Sequence, residues 1–171
     1  MKTLIVSAFP ACGKTHFHTK GEKCDNYFTT LDSDSSKFSW VLDSEGKSTG
    51  VREPEFPNNY IQYIKDNVGK VSLIFVSSHN EVRQALEDNL LNYVTVMPYP
   101  KLKDEWLQRC VDRGSPEGFV NLIDKMWGCW TSFEVQRKWS PTDRLFLRKG
   151  EYISDHLPLL DTFRDHHGLE K

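Results

Sequence analysis

The sequence predicts one α/β domain over residues 1–171, and three features lead to this prediction. Residues 2–6 form a short apolar run with β-branched side chains, followed by a glycine-containing loop and a helix start. Residues 71–76 form a nearly continuous apolar run, typical of a strand covered on both faces of a sheet. A chain of 171 residues is long enough for one core and too short for two domains of ordinary size.

The loop after the first strand has the pattern A-x-x-x-x-G-K-T from Ala8 to Thr15. We interpret it as a phosphate-binding P-loop in which Ala8 replaces the first glycine. Gly13 lets the backbone approach a phosphate closely, Lys14 reaches the terminal phosphates, and the Thr15 hydroxyl suits magnesium. The candidate nucleotide-binding residues are Ala11, Cys12, Gly13, Lys14, Thr15 and His16.

Composition narrows the classes of partner. The net charge of −2 and the pI near 6.3 argue against a protein that holds nucleic acid by bulk charge. Charges interrupt every apolar run well before the length of a membrane span. The four cysteines form no C-x-x-C pair, and the apolar run at the N-terminus is too short for a secretory signal, so we expect a soluble protein with reduced thiols in a cytoplasm.

A short acidic cluster follows the second predicted strand. We expect a first helix over residues 14–20 that ends at Gly21, and then a strand over residues 27–31. Asp32 and Asp34 would then lie at the carboxyl edge of the sheet, in the same crevice as the loop. They suit magnesium binding, directly or through water, or acceptance of a proton from a substrate hydroxyl. The alternative is that Asp32 or Ser33 only caps the following helix.

The next segments supply one candidate anion contact. Residues 43–57 are rich in Gly, Ser, Pro and charge and predict a loop or hairpin, in which Arg52 either binds an anionic substrate or is simply solvated. Residues 58–69 have helical spacing of apolar side chains.

The strand over residues 71–76 leads into further candidates at the same edge. Ser78 and Glu81 have the spacing of a capping box for the next helix, which carries Arg83 on its first turns. Ser78, His79 and Arg83 are candidate substrate contacts, with a structural role for His79 as the alternative. No acid ends this strand, so a magnesium ion would depend on Asp32 or Asp34.

An arginine pair follows the fourth predicted strand, residues 93–100. Residues 101–114 predict an amphipathic helix on which Arg109 and Arg113 lie one turn apart and project together. The pair suits an anion between the two guanidinium groups. Ordinary ion pairing with Glu105 and Asp112 is the alternative.

The C-terminal third predicts mainly core elements. A helix begins with Ser115 as its N-cap and Pro116 as its first residue, followed by a strand within residues 144–157, a turn at Gly150 and a closing helix over 155–165. We expect the long helix to bury its apolar set, and His166 and His167 to form a solvated tail. That apolar set is Phe119, Leu122, Ile123, Met126, Trp127, Trp130 and Phe133.

Three segments together resemble the small P-loop kinases, a group that includes nucleoside monophosphate kinases and shikimate or gluconate kinases. They are FPACGKT (9–15), LDSDSSKF (31–38) and IFVSSHNEVR (74–83), and their details are most similar to the compact nucleotide kinases encoded by bacteriophages. The resemblance covers most of the chain. It implies a three-layer α/β/α P-loop NTPase fold with a five-stranded parallel sheet, a substrate-side insertion over about 35–69, and a helical lid over about 101–140.

The same resemblance implies an activity and a set of roles. ATP and magnesium would bind at Gly13, Lys14 and Thr15, with Asp32 as a further metal contact and the acceptor near Asp32 and Asp34. Arg109 and Arg113 would be the lid arginines. We expect a phosphotransferase that acts on a deoxynucleoside monophosphate, in the host cytoplasm if the chain is encoded by a phage. The expected catalytic residues are Lys14, Asp34, Arg109 and Arg113.

Two other functions remain open. One is a kinase of a hydroxyl group on a nucleoside, a small metabolite or a hydroxymethylated base in DNA, with Asp34 as the general base. The other is a nucleotide-binding regulatory module without a second substrate. The guanine-reading N-K-x-D signature is absent, which counts against a GTPase. With a nucleotide acceptor no base is required, and Arg83 and Arg52 are the expected phosphate contacts.

Overall fold

The structure is a computed structural model that describes residues 1–19 and 28–171. Two short 3₁₀ turns, Pro100–Leu102 and Ile153–His156, accompany the helices and strands of this part of the chain. In chain order these are β1 (Leu4–Ala8), α1 (Lys14–Thr19), β2 (Thr30–Asp32), α2 (Ser36–Ser39), β3 (Trp40–Leu42), β4 (Ser48–Arg52), α3 (Asn58–Asn67), β5 (Leu73–Ser77), α4 (Asn80–Asp88), β6 (Tyr93–Pro98), α5 (Lys103–Asp112), α6 (Glu117–Thr131), α7 (Phe133–Gln136), β7 (Asp143–Leu147) and α8 (Leu157–His167).

A five-stranded sheet with the order β2-β5-β1-β6-β7 forms the centre of the molecule. All four pairs of neighbouring strands are parallel, so the predicted α/β fold with a five-stranded parallel sheet is confirmed. β1 is the middle strand, and its last residue, Ala8, is in register with Ser77 on one side and Val96 on the other. The loop that follows β1 therefore begins at the centre of the carboxyl edge.

Helices cover both faces of the sheet, which is compatible with the predicted three-layer α/β/α arrangement. Side chains alternate along β1: Leu4 and Val6 belong to one core cluster, and Ile5 to the other. The first cluster includes Trp106 of α5, Trp127 of α6 and Leu160 of α8; the second includes Tyr60, Ile61 and Ile64 of α3 and Val82, Ala85 and Leu86 of α4. Burial on both faces explains why the strands are apolar runs.

A two-stranded antiparallel hairpin, β3 and β4, stands apart from the main sheet. The loop or hairpin predicted over residues 43–57 is confirmed in part, because β4 lies in that range and β3 precedes it. Every residue of β4 is exposed. The helix predicted over residues 58–69 is confirmed as α3, and Gly69 follows it with a φ of +84°.

The predicted capping box at the start of α4 is wrong. The helix begins at Asn80, its N-cap is His79, and no side chain caps it. Glu81 does not bond back toward Ser78, because its carboxylate pairs with Arg52 of the hairpin. Glu81, which the local spacing assigned to the helix cap, therefore takes part in a long-range ion pair instead.

The long C-terminal helix differs from the prediction in its start and in its burial. α6 begins at Glu117, with Pro116 and not Ser115 at the N-cap, and its burial shows a narrower apolar face than predicted. Ile123 and Trp127 are buried, whereas Leu122 is 46% exposed and Phe133 of α7 is 47% exposed. Only part of the apolar set is therefore core.

The remaining boundaries shift by a few residues. β2 begins at Thr30 and includes Asp32, β7 ends at Leu147, and the closing helix α8 starts at Leu157 and contains His166 and His167, which were predicted to form a solvated tail. The predicted helix end at Gly21, Cys24 and the strand start at Tyr27 lie outside the described residues.

Among residues 1–19 and 28–171, no helix is both long enough and apolar enough to cross a lipid bilayer.

Phe75 tests the importance of the double-sided core. It is fully buried in β5, with its ring centroid 5.4 Å from that of Phe17. We expect Phe75→Ala to lower the free energy of unfolding by about 3–5 kcal/mol, because it removes a large buried side chain and leaves a cavity. Val51→Ala, at a 59% exposed position in β4, is the control, and its cost is expected to stay within about 0.5 kcal/mol. Urea unfolding measures both; similar losses would contradict the assignment of this core.

Candidate functional site

The candidate site lies at the carboxyl edge of the sheet, where three neighbouring parallel strands end. β1 ends at Ala8 and continues into the segment 8–15, here named the glycine loop; β2 ends at Asp32, and β5 ends at Ser77. Because β5 lies between β1 and β2, these ends are neighbours. The sequence prediction that Asp32 would lie beside the glycine loop agrees with this arrangement.

The glycine loop turns sharply and is fixed by backbone hydrogen bonds. Phe9 donates its N–H to Val96 over 2.9 Å, and the Cys12 carbonyl accepts from Ile153 over 3.1 Å. Ala11 and Gly13 both have left-handed backbone, with φ of +60° and +96°. Ala8, the departure from the usual glycine, lies in the strand, so the strained alanine is Ala11.

A cavity of about 400 Å³ lies over this turn, and we name it the loop cavity. It brings together all six predicted nucleotide-binding residues with both arginines of the predicted pair. Its lining residues are Ala11, Cys12, Gly13, Lys14, Thr15, His16, Arg109, Asp112, Arg113 and Tyr152.

Lys14, at the start of α1, is the central charge of the site. Its ammonium group donates to the Ala8 carbonyl over 2.7 Å. Burial lowers the pKa of Lys14, Arg113 lowers it further, and Asp32 and Asp34 act in the opposite direction. An ammonium group that has lost much of its hydration gains more from a bound anion than an exposed one does.

The thiol of Cys12 is not a nucleophile in this structure. The side chain is fully buried, and burial raises the pKa of the thiol to about 12 despite the nearby Lys14 and Arg109. At neutral pH the thiol therefore stays protonated. Cys12 contributes to the loop cavity through its position in the backbone.

Thr15 and Asp32 form the pair that suits a metal ion. The Thr15 hydroxyl donates to the Asp32 carboxylate over 2.9 Å, and both side chains carry oxygen ligands of the type that magnesium prefers. In the described part of the chain, no group of three or more His, Cys, Asp and Glu side chains could hold a metal ion. Magnesium binds through one or two protein oxygens when phosphates and water complete the shell, so the pair fits that mode.

Arg109 is a fixed part of the site. Its guanidinium lies between the rings of Trp106 and Tyr152, at 3.9 and 4.1 Å from their centroids. It pairs with Glu105 over 2.6 Å and donates to the Glu151 carbonyl over 2.8 Å. Ion pairing with Glu105, the alternative to anion binding, is therefore present for this residue, and Arg109 holds the walls of the loop cavity together.

Arg113 differs from Arg109 although both line the loop cavity. It is exposed, immediately follows α5, and donates through Nε to the Ser115 hydroxyl over 2.7 Å. Among the described residues, no carboxylate lies within ion-pairing distance of it. Asp112, the partner suggested by spacing, instead accepts from Gln108. Arg113 is therefore the member of the pair with a charge left for an anion.

A second cavity, of about 470 Å³, adjoins the first, and we name it the polar cavity. Lys14 and Arg113 line both cavities. The other charged and titratable residues of the polar cavity are Asp34, Arg52, His79 and Glu81, and its further lining residues are Pro10, Ser35, Ser36, Ser39, Trp40, Phe56, Ser77 and Phe119.

The two acidic residues of the D-S-D segment have different surroundings. Asp32 bonds to Thr15, whereas Asp34 lines the polar cavity and accepts from the Ser36 N–H over 2.9 Å. The alternative prediction was that Asp32 or Ser33 caps the following helix. The hydrogen bond at the start of that helix is instead accepted by Asp34. One oxygen of Asp34 makes that bond, and the carboxylate still faces the cavity that contains Lys14.

Arg52 is not a merely solvated loop residue. It pairs with Glu81 and lies 5.5 and 4.7 Å from the ring centroids of Trp40 and Phe56. These contacts hold the hairpin against the start of α4 and place a guanidinium at the polar cavity.

The remaining candidates line a third cavity of about 310 Å³, which we name the aromatic cavity. Ser78, His79 and Arg83 reach it from the β5–α4 side. Burial, and then Lys14, lower the pKa of His79, so its imidazole is neutral at neutral pH. The complete lining is Phe9, Pro10, Ser78, His79, Asn80, Glu81, Arg83, Phe119, Leu122, Trp130, Val135 and Gln136.

Sequence reasoning missed several residues that line these cavities or support their walls. Tyr152 lies against Gly13 and Arg109, and Trp106 donates its indole N–H to the Pro10 carbonyl over 3.0 Å. Gln136 is buried and bonded to Arg83. None of the three belongs to a local motif, and only their contacts in the fold identify them.

Comparison of the chain with protein-family models and with curated proteins finds no match. The assignment of function therefore depends on the geometry of the three cavities and on the sequence motifs.

The position of Tyr152 over the glycine loop gives a stability test. An alanine Cβ at Gly13 would lie 3.1 Å from Cδ1 of Tyr152, and the residue has left-handed backbone. Gly46 has a φ of +77°, and an alanine Cβ there would meet nothing within 4 Å, so it is the matched control. We expect both substitutions by alanine to cost about 1–2 kcal/mol for the backbone, with a further loss at Gly13 only.

Thermal and urea unfolding of Gly13→Ala and Gly46→Ala measure the difference. In a Tyr152→Ala background the extra loss at Gly13 is expected to disappear, because the crowding ring is gone. Equal losses at the two glycines in the original background would contradict the packing of Tyr152 on the loop.

Proposed function

We propose that this protein is an ATP-dependent phosphotransferase, a P-loop kinase that transfers the γ-phosphoryl group to a deoxynucleoside monophosphate. One observation carries the proposal: Lys14 and Arg113 line both the loop cavity and the polar cavity. Two cavities that share a cationic wall suit a donor and an acceptor that meet at a transferring phosphoryl group. Phosphoryl transfer depends on such positioning and charge neutralisation more than on covalent chemistry.

The loop cavity takes the triphosphate of ATP. The segment from Ala11 to His16 surrounds the phosphates with backbone N–H groups, and Lys14 meets the negative charge. Thr15 and Asp32 would hold magnesium, which would supply neutralisation of the phosphate charge. Arg109 positions the wall of the cavity, and its contacts with Trp106 and Tyr152 leave Arg113 as the arginine that moves toward the transferring group.

The polar cavity takes the phosphate of the acceptor. Lys14 and Arg113 supply two cations around it, and Arg52, whose charge is paired with Glu81, supplies a third. In the transfer step, the bond between the γ-phosphorus and the bridging oxygen of ADP breaks while an oxygen of the acceptor phosphate bonds to the phosphorus. No proton has to leave a phosphate acceptor, so no general base is needed. The segment around 35–69 forms the acceptor side, and the helices within 101–140 carry the lid role.

A hydroxyl acceptor is the second candidate, because Asp34 lines the polar cavity beside Lys14. For an alcohol, the hydroxyl proton moves to the Asp34 carboxylate as the oxygen attacks the γ-phosphorus. Nucleosides, small metabolites and hydroxymethylated bases in DNA all supply such a hydroxyl.

Lys14 tests the phosphate site. We expect magnesium ATP to raise the melting temperature of the native protein and to bind in calorimetry, and we expect Lys14→Met to abolish both effects and to reduce turnover by about 10²–10³-fold, because the buried charge opposite the phosphates is lost. Lys70→Met, at an exposed position outside the described cavities, is the control and is expected to behave like the native protein. Undiminished ATP binding by Lys14→Met would overturn the proposal.

Asp34→Asn distinguishes the two acceptor classes. Labelled ATP is incubated with deoxynucleoside monophosphates, nucleosides and hydroxymethylated DNA, and the labelled product is identified. Transfer to a phosphate is expected to persist in Asp34→Asn within about tenfold, whereas loss of a general base lowers transfer to a hydroxyl by about 10²–10⁴-fold.

Asp43→Asn is the control for loss of a backbone contact, since Asp43 also accepts N–H bonds, from Glu45 and Lys47. A native protein that transfers label to no member of the panel would contradict the kinase proposal.

A further inference from the structure

The aromatic cavity adjoins the polar cavity, and the two share Pro10, His79, Glu81 and Phe119. Its walls differ in chemistry, because side chains from the glycine loop, α6 and α7 make it largely apolar. Phe9 and Trp130 meet edge to face, with ring centroids 6.5 Å apart. A volume of about 310 Å³ lies within the range of small-molecule sites. A ligand that enters the polar cavity can therefore extend into an aromatic one.

Arg83 is a buried cation in the wall of this cavity, and its charge is not balanced by an ion pair. The residue is 4% exposed, and among the described residues no carboxylate lies within 4.0 Å of its guanidinium nitrogens. Its Nε is buried without a hydrogen-bond acceptor. A buried charge that lacks a partner costs free energy unless a bound group provides one.

The neighbours of Arg83 cannot supply the missing acceptor. Gln136 already accepts from Nη1 of Arg83 over 2.8 Å, and its own amide donates to the Trp130 carbonyl. The nearest acid by electrostatic effect, Glu87, accepts from Tyr93 and from the Ser140 N–H, each over 2.7 Å. The Arg83–Gln136 pair is thus held in place, while Nε and Nη2 of Arg83 make no hydrogen bond among the described residues, and of these two atoms only Nε is fully buried.

The difference between the two cavities orients an acceptor nucleotide. Lys14, Arg52 and Arg113 make the polar cavity the place for its phosphate. The aromatic cavity has a single guanidinium among Phe9, Phe119, Leu122 and Trp130, which suits a flat neutral ring with a hydrogen-bond acceptor on its edge. A second anion would lose its hydration there for one cation only.

We propose that the aromatic cavity binds the base of the acceptor nucleotide and that Arg83, held by Gln136, donates to a carbonyl oxygen of that base. This inference rests on the proposed kinase function and specifies its acceptor. The oxygen is O4 of thymine or uracil, or O6 of guanine; at that position cytosine and adenine present an amino group, and a guanidinium that faces an amino group disfavours those two bases. The acceptor class is therefore a nucleotide with a keto base.

The first test is the acceptor preference of the native protein. With saturating magnesium ATP, kcat/KM is measured for dTMP, dGMP, dCMP and dAMP. We expect dTMP or dGMP to exceed both dCMP and dAMP at least tenfold. A preference for dCMP or dAMP would overturn the inference while leaving the kinase function intact.

Two variants connect that preference to the cavity. Gln136→Glu keeps the shape of the side chain and gives Arg83 a carboxylate inside the protein, so we expect the preference among bases to shrink at least fivefold. Leu122→Trp fills the cavity from an exposed position and is expected to raise the KM for the acceptor at least tenfold with the KM for ATP unchanged. Asn121→Trp is the matched control, because Asn121 immediately precedes Leu122 on α6 and is also exposed. Its KM values for the acceptor and for ATP are expected to match those of the native protein.

Binding measurements separate failure of this inference from failure of the kinase proposal. Calorimetry with dTMP and dGMP in the absence of ATP measures acceptor binding separately from phosphoryl transfer, and Leu122→Trp tests the contribution of the aromatic cavity to it. If no phosphoryl transfer occurs but Leu122→Trp weakens dTMP or dGMP binding at least tenfold, the base site stands and the kinase function falls. If transfer occurs and neither variant changes acceptor binding or preference, with melting temperatures confirming folded variants, the base site is refuted and the kinase function stands.

Discussion

The position of the glycine loop depends on β1. Core clusters cover this strand on both faces of the sheet, and a neighbouring strand pairs with it along each edge. Its parallel pairing with β5 and β6 fixes the height of Ala8 in the sheet, and apolar side chains on alternate faces fix its rotation. Phe9 continues the ladder with one more hydrogen bond to Val96 before the chain turns. A turn that leaves such a strand cannot shift without disturbing two core clusters, so the site inherits the rigidity of the sheet.

Arg109 extends this rigidity from the sheet to the walls of the loop cavity. Its guanidinium joins α5 to the segment after β7 through Glu105, the Glu151 carbonyl and the ring of Tyr152. Glu105 also accepts from the Gly150 N–H, and although its burial acts in the opposite direction, this bond and the Arg109 contacts lower the pKa of its carboxyl group. The carboxylate therefore stays charged and keeps its ion pair with Arg109.

The net positive charge of the lining side chains decreases from the loop cavity to the polar cavity and again to the aromatic cavity. Lys14 and Arg113 belong to the loop cavity and the polar cavity, and Phe119 belongs to the polar cavity and the aromatic cavity. A molecule with phosphate at one end and a flat ring at the other matches this order. The arrangement has a cost in folding, because burial lowers the pKa of both the half-buried Lys14 and the buried Arg83, and a ligand that supplies acceptors to them relieves this cost.

The sequence alone determined most of the strands and helices, although not β3 or α7, because apolar periodicity and the glycine and proline positions are local properties. It also placed Lys14, Thr15 and Asp32 at one edge, since parallel strands end together. What only the tertiary structure decided is the pairing of distant residues: Tyr152 on Gly13, Glu81 with Arg52 instead of a helix cap, and Gln136 with Arg83. Such pairs depend on how helices and loops pack against the sheet. A contact between two residues far apart in the chain leaves no periodic pattern in the sequence.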